Sequence, residues 1–218
     1  CNLKLNIDSD VLFPLSIKSI DNSGKVSTLI NHDIEAYQNL TWERPKQPLK
    51  GKLFSHAHLQ NLHIGLLDNS FTLTAFSAFS DSLSRLQRLF LNEELSSFGV
   101  YSLVLYIEGV PMIVAINDFF PICRNGWLFT YSKSNDVWIQ LLEKAWAKVN
   151  GSYLSSKEGN PSDFVSCLTE APSEILIHSR FETIKLFELL KHAFTKNFVM
   201  LSLTYNHFAD DKGLEPAK

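Results

Sequence analysis

Apolar residues recur three and four apart from Phe76 through Phe79, Leu83 and Leu86 to Phe90, so they share one face of a helix. Just upstream, Gly65 opens a turn, and Asp68-Asn69-Ser70 offers three side chains whose oxygens can cap the free N–H groups of that helix's first turn. Leu83 to Phe98 continues as a helix or helix pair with Arg85 and Arg88 on its outer face, and Gly99 ends it. Phe98 to Ile107, Pro111 to Asn117 and Trp127 to Tyr131 are rich in Val, Ile, Leu and aromatics. The turn signals Glu108-Gly109 and Arg124-Asn125-Gly126 separate them, which predicts an antiparallel sheet. Asn117-Asp118 reads as a strand-ending turn rather than a catalytic carboxylate site.

The helical period returns from Asp136 to Val149, where Ile139, Leu142, Trp146 and Val149 form the apolar face and Glu143 and Lys144 are expected to be exposed. Asn150-Gly151 stops this helix. Gly159-Asn160-Pro161-Ser162 predicts a turn, with Ser162 capping a short helix through Leu168. Ser173 or Ser179 then begins a helix over Phe181 to Lys196, with Ile184, Phe187, Leu190 and Phe194 along one face. Phe198 to Tyr205 reads as a strand and Ala209 to Lys218 as a polar tail. At the other end, residues 1–30 alternate around Pro14 and close on Asp21-Asn22-Ser23-Gly24, which reads as strands around a turn. We take 1–30 as an N-terminal appendage or the end of a neighbouring domain. Asn31 to Leu40 predicts a short helix, and Pro45, Pro48 and Gly51 an irregular approach segment.

Composition narrows the class without naming a chemistry. The 218 residues are 45% hydrophobic and 20% charged, enough apolar mass for a real core. A net charge of −3 with no Lys/Arg block argues against a nucleic-acid surface. No apolar run approaches the roughly 20 residues that span a bilayer. Three separated cysteines, Cys1, Cys123 and Cys167, make neither a disulfide framework nor a metal spacing, which predicts an intracellular, cytoplasmic setting. His56, His58 and His63 read as scattered imidazoles rather than a zinc set, since no carboxylate or thiol stands at ligand spacing. The chain begins at Cys1 without methionine or signal-peptide pattern, which reads as an excerpt of a longer protein.

Ile64-Gly65-Leu66-Leu67-Asp68-Asn69-Ser70-Phe71-Thr72-Leu73-Thr74-Ala75 resembles the nucleophile segment of the calpain family, Gln-Gly-x-Leu-Gly-Asp-Cys-Trp-x-Leu-Ala-Ala. The family's order continues on both sides. Trp42-Glu43-Arg44-Pro45 resembles its Trp-x-Arg-Pro lead-in, and Gly99 to Tyr106 its first strand. Val114 to Pro121 resembles its Val-x-Ile-Asp-Asp-x-Leu-Pro strand and turn. Trp138 to Tyr153 is similar to Trp-x-x-Leu-Leu-Glu-Lys-Ala-Tyr-Ala-Lys-x-x-Gly-x-Tyr. The resemblance implies an α+β fold over residues 31–218: the first, nucleophile-helix subdomain of a papain-like protease core, with the second subdomain absent from this chain.

It also implies where the chemistry would sit. The family cysteine maps to Ser70, whose hydroxyl is far less acidic than a thiol and stays protonated in a site built for an ion pair. The glutamine that donates to the oxyanion maps to Ile64, and losing one such donor costs roughly 3 kcal/mol. Phe71 replaces the family tryptophan, and Asp68-Asn69 its Gly-Asp pair. The family's His-Ala-Tyr and Asn-Pro-Trp contexts do not occur here; His178, His192 and His207 fall on scaffold positions. The tail Lys-Gly-Leu-Glu-Pro-Ala-Lys resembles the segment before the family histidine.

The family's calcium ligands map to Asn61 and Asp136, an amide and a shortened carboxylate, so calcium binding is expected to be weak or absent. The resemblance therefore implies a pseudoprotease: a structural or regulatory interaction module with protein partners, other domains or subunits of a larger assembly, cytoskeletal or axonemal by analogy. The alternatives are a calcium-dependent cysteine-type endopeptidase core with Ser70 as nucleophile, and a calcium-responsive module without catalysis.

Overall fold

The structure, a computed structural model, describes residues 10–23, 40–45, 53–54, 62–67, 69–80, 82–123, 126–132, 136–157 and 159–202. The chain falls into two compact units, Cys1–Ile177 and His178–Lys218. In the first, helix α1 (Ile17–Ile20) follows Ser16, whose hydroxyl oxygen accepts from the Lys18 N–H. Strands β1 (Thr41–Glu43) and β2 (Leu62–His63) come next, then helices α2 (Ser70–Ser80) and α3 (Leu83–Leu89). Strands β3 (Val100–Ile107), β4 (Val110–Asn117), β5 (Phe120–Cys123), β6 (Gly126–Trp127) and β7 (Tyr131–Ser132) lead to helices α4 (Trp138–Val149) and α5 (Pro161–Thr169). All the strand pairs are antiparallel: β1–β5–β6 in one sheet, β2 with β7, and β3 with β4.

This is the expected α+β class, with several corrections of detail. The apolar stripe from Phe76 to Phe90 is carried by two helices, because Ser82 is extended (φ −132°, ψ 108°) and starts α3 anew. Helix α3 ends at Leu89 rather than Phe98, since Phe90 bridges to Leu103 of β3. Phe76, Phe79, Leu86 and Phe90 are buried as expected, whereas Leu83 is exposed. Gly99 (φ +69°) leads into β3, where a Cβ would collide with the Arg44 and Asp118 side chains. The segment read as one strand, Trp127 to Tyr131, is split between β6 and β7.

The N-terminal reading changes more. Its described part, 10–23, holds a turn and α1 in place of strands, and Phe13 and Ile20 are fully buried in a cluster with Leu67, Phe129 and Tyr153. Tyr153 donates its N–H to the Ser19 carbonyl, and Lys148 pairs with Asp10 at 2.5 Å. The helix expected over Asn31–Leu40 lies outside the described residues except for Leu40. A second packing region joins α2, α4 and α5, where Phe164 meets Phe71, Phe76 and Trp146. Helix α5 is capped by Asn160, whose side-chain oxygen accepts from the Ser162 N–H, so Ser162 is not the cap.

In the second unit, helix α6 (Thr183–Thr195) follows Glu182 rather than either predicted serine. It buries Leu186, while Ile184, Phe187, Leu190 and Phe194 are exposed. Residues 198–202, the described part of the last expected strand, are not in a strand.

Candidate functional site

The loop from β2 to α2 is fixed at several points before it reaches Ser70. His63 stacks on Tyr131 across the β2–β7 pair, at 4.9 Å between centroids and 13° between planes. Gly65 runs so close to the Leu128–Phe129 backbone that a Cβ there would overlap it, so the glycine serves close approach rather than a special dihedral. Leu66 donates its N–H to the Leu128 carbonyl at 2.9 Å, and Leu67 is fully buried. Ile64 is 58% exposed and, being aliphatic, has no side-chain donor to offer. Ser70 is the first residue of α2 and is exposed at the positive end of an 11-residue helix. Asp68 lies outside the described residues.

Asn69 was expected among the caps, and its side chain is used otherwise. Its backbone carbonyl accepts from Thr72 and Leu73, starting the helix. Its Nδ2 donates to Glu143 Oε1 at 2.9 Å, while Oδ1 finds no partner among the described residues. Glu143 is 1% exposed and also accepts from the Thr130 hydroxyl at 2.6 Å and the Thr130 N–H at 3.1 Å. Burial pushes its carboxyl up to about 7, against the opposing pull of those hydrogen bonds from Thr130 and Asn69.

Lys144, also expected on the outside, is 1% exposed. Its Nζ donates to Asn117 Oδ1 at 2.6 Å and the Phe119 carbonyl at 2.5 Å, and lies over the Trp42 and Phe120 rings at 5.4 and 5.6 Å. Burial brings its ammonium down to about 7, opposed by the charges of Asp10 and Asp118. Asp118 accepts a two-pronged contact from Arg44, at 2.7 and 2.9 Å, so Asn117-Asp118 is a structural turn as read. Glu143 and Lys144 are thus two charged groups that sequence reasoning placed wrongly on the surface. They were visible as the central Glu-Lys of the Trp138–Tyr153 segment, but a single-face helix period assigns them to solvent.

The other candidates are scattered. Asp136 is buried just before α4, and Asn61, its expected companion, lies outside the described residues. His56, His58 and His207 lie outside them too; His178 and His192 belong to the second unit. Among the described residues, no three His, Cys, Asp or Glu side chains stand together as a metal set. Cys167 is a buried free thiol, which burial pushes up to about 11. Among the described residues, no helix is long and apolar enough to cross a membrane.

A glycine-anchored loop thus delivers Ser70 to the start of a buried helix and is tied to α4 through Asn69 and Glu143 and to β7 through His63 and Tyr131. The sequence model of the calpain family cysteine proteases matches residues 9–215, and the chain belongs to that family. Among its relatives, the calpain-type cysteine protease DEK1 of Zea mays is 30% identical over 112 residues, 50% of this chain and 5% of its own length. Calpain-7 of Homo sapiens is 29% identical over 125 residues, 55% of this chain and 15% of its own. The calpain-1 catalytic subunit of Macaca fascicularis is 30% identical over 154 residues, 62% and 21% respectively. The chain thus spans a fifth or less of the length of most such relatives, which are larger proteins.

Proposed function

We propose that this chain is a catalytically inactive calpain-like domain, a structural or regulatory interaction module in a larger intracellular, cytoskeletal or ciliary protein. The observation that carries the reading is the pairing of Ser70 with Ile64 at the positions of the family nucleophile and oxyanion donor. A hydroxyl at the helix start replaces a thiol that the dipole would ionise, and an exposed aliphatic side chain replaces an amide donor. Beneath it, Asn69, Thr130 and Glu143 are joined by buried hydrogen bonds. That combination fits a domain retained for its shape.

The test is stepwise reversion in the full-length protein. Ser70→Cys alone should give no casein cleavage, because Ile64 still leaves the oxyanion undersupplied. Cleavage by that single revertant would overturn the reading that Ile64 matters.

A further inference from the structure

We propose that the outer edge of β4, on which no strand pairs among the described residues, is a self-association surface, where a second copy of this chain pairs antiparallel about Ile113. The inference stands whether or not Ser70 is reactive.

The hydrogen-bonding direction along β4 follows from its turn. Glu108 and Gly109 both have positive φ (52° and 79°) and form a two-residue hairpin, so the flanking pair Ile107–Val110 exchanges hydrogen bonds. Alternation then turns the backbone groups of Met112 and Val114 toward β3, and those of Pro111, Ile113 and Ala115 outward. Contacts at three residues agree with that phase. Ser102, opposite Ala115, accepts from Leu91 and donates to Asn92 on its outer side. The backbone of Tyr106, opposite Pro111, bonds to Cys167. The Ala115 carbonyl accepts from Lys148 Nζ at 2.8 Å.

The outward edge is therefore short of two groups. Pro111 has no N–H, and the Ala115 carbonyl is taken by Lys148. Between Pro111 and Ala115, what is left is two donors, the N–H groups of Ile113 and Ala115, and two acceptors, the carbonyls of Pro111 and Ile113. An antiparallel copy centred on Ile113 sets Ile113 against Ile113 and Pro111 against Ala115. The four remaining groups then pair completely across the two-fold axis, and the missing donor falls opposite the occupied acceptor. An unrelated strand would have to share this pattern; a second copy has it by construction.

The side chains suit the same occupant. Val110 to Asn117 carries no charge, so two copies meet without repulsion. Ile113 is 67% exposed, and Val110 and Met112 are also exposed at the hairpin end. Asp10 and Ala115 both bind Lys148, which places exposed Val11 and Leu12 beside the edge, where the tip of the second hairpin would arrive.

The experiment is sedimentation velocity and light scattering across micromolar to millimolar concentrations, where mass action shifts the equilibrium. The wild-type mass should rise from 24.8 kDa toward twice that value. Ile113→Pro removes only an outward N–H, so β3–β4 pairing should survive, with an unchanged circular dichroism spectrum and a monomeric mass throughout. Should that variant not fold, Ile113→Lys sets two charges together on the axis and should also be monomeric. Ile113→Cys should form an intermolecular disulfide on oxidation, because directly opposed residues place their Cα atoms about 5.5 Å apart. Leu91→Cys, exposed elsewhere, should form it no faster than wild type. A wild type that stays monomeric to millimolar concentration, a folded Ile113→Pro that still dimerises, or a monomer that captures an unrelated apolar strand would each overturn the proposal.

Discussion

Glu143 holds three donors in a buried site and Lys144, the next residue, holds two oxygen acceptors and two ring faces in another. Both pay-offs of burial run against the charged forms, so each group makes stability depend on pH in its own window. The folded-state pKa of Glu143 is raised from 4.5 to about 7. Between those values the folded state holds a proton that the unfolded state has released, so stability falls as pH rises. For Lys144 the shift is downward, from 10.5 to about 7. There the unfolded state holds the extra proton, so stability rises from pH 7 toward 10.5. Urea denaturation of the wild type should accordingly show a minimum near neutrality. Glu143→Gln should flatten the acid limb and Lys144→Met the alkaline limb. A wild-type curve with its maximum at pH 7 would contradict both assignments. Ser70 behaves differently at the same scale, because it is exposed and at most ends a helix. Ser70→Ala should cost roughly 1 kcal/mol or less, whereas Phe164→Ala, which empties the meeting point of Phe71, Phe76 and Trp146, should cost roughly 3–5 kcal/mol. Chemical denaturation of the two variants side by side checks the order.

Among elements, the loop from β2 to α2 is the most constrained, and Gly65 is its pivot. Any side chain there must push the Leu128–Phe129 backbone away, so Gly65→Ala should destabilise by roughly 1–3 kcal/mol, as overpacking does. A neutral Gly65→Ala in a thermal melt would mean that the loop yields. Helices α2, α4 and α5 and strands β3 and β4 were legible because their periods differ, and the Glu108-Gly109 turn was legible because Gly109 supplies one of the two left-handed residues it needs. Other features were not, beyond the strands misread in 10–23 and 198–202. The break at Ser82 hides inside a stripe that keeps its spacing across two helices. The burial of Glu143 and Lys144 follows from packing on both sides of α4, which no single-helix period can express. Asn69 looks like a cap in sequence, and only the position of Glu143 shows that its amide is claimed from another element. Within the candidate site, Ser70 and Ile64 were identified by resemblance, while the groups that hold the loop in place came from the structure.

For the whole molecule, the family supplies the scaffold, and the proposed reading puts Ser70 and Ile64 where the family's chemistry would sit. Calcium bears on the same point. If Asn61 and the buried Asp136 stand where the resemblance puts the family's calcium ligands, an amide and a shortened carboxylate make a poor site, and millimolar calcium should leave the melting temperature where a chelator leaves it. A ligand at a hundredfold excess over its Kd would instead add about 2.7 kcal/mol. A clear rise, lost in Asp136→Ala, would favour a calcium-responsive module. The central claim is that Ser70 is not a nucleophile, and the most direct measurement is intact-protein mass spectrometry after exposure to a serine-directed fluorophosphonate and, separately, a thiol-directed epoxide. The account predicts no adduct at Ser70 with either reagent; a covalent adduct mapped to Ser70 would contradict it.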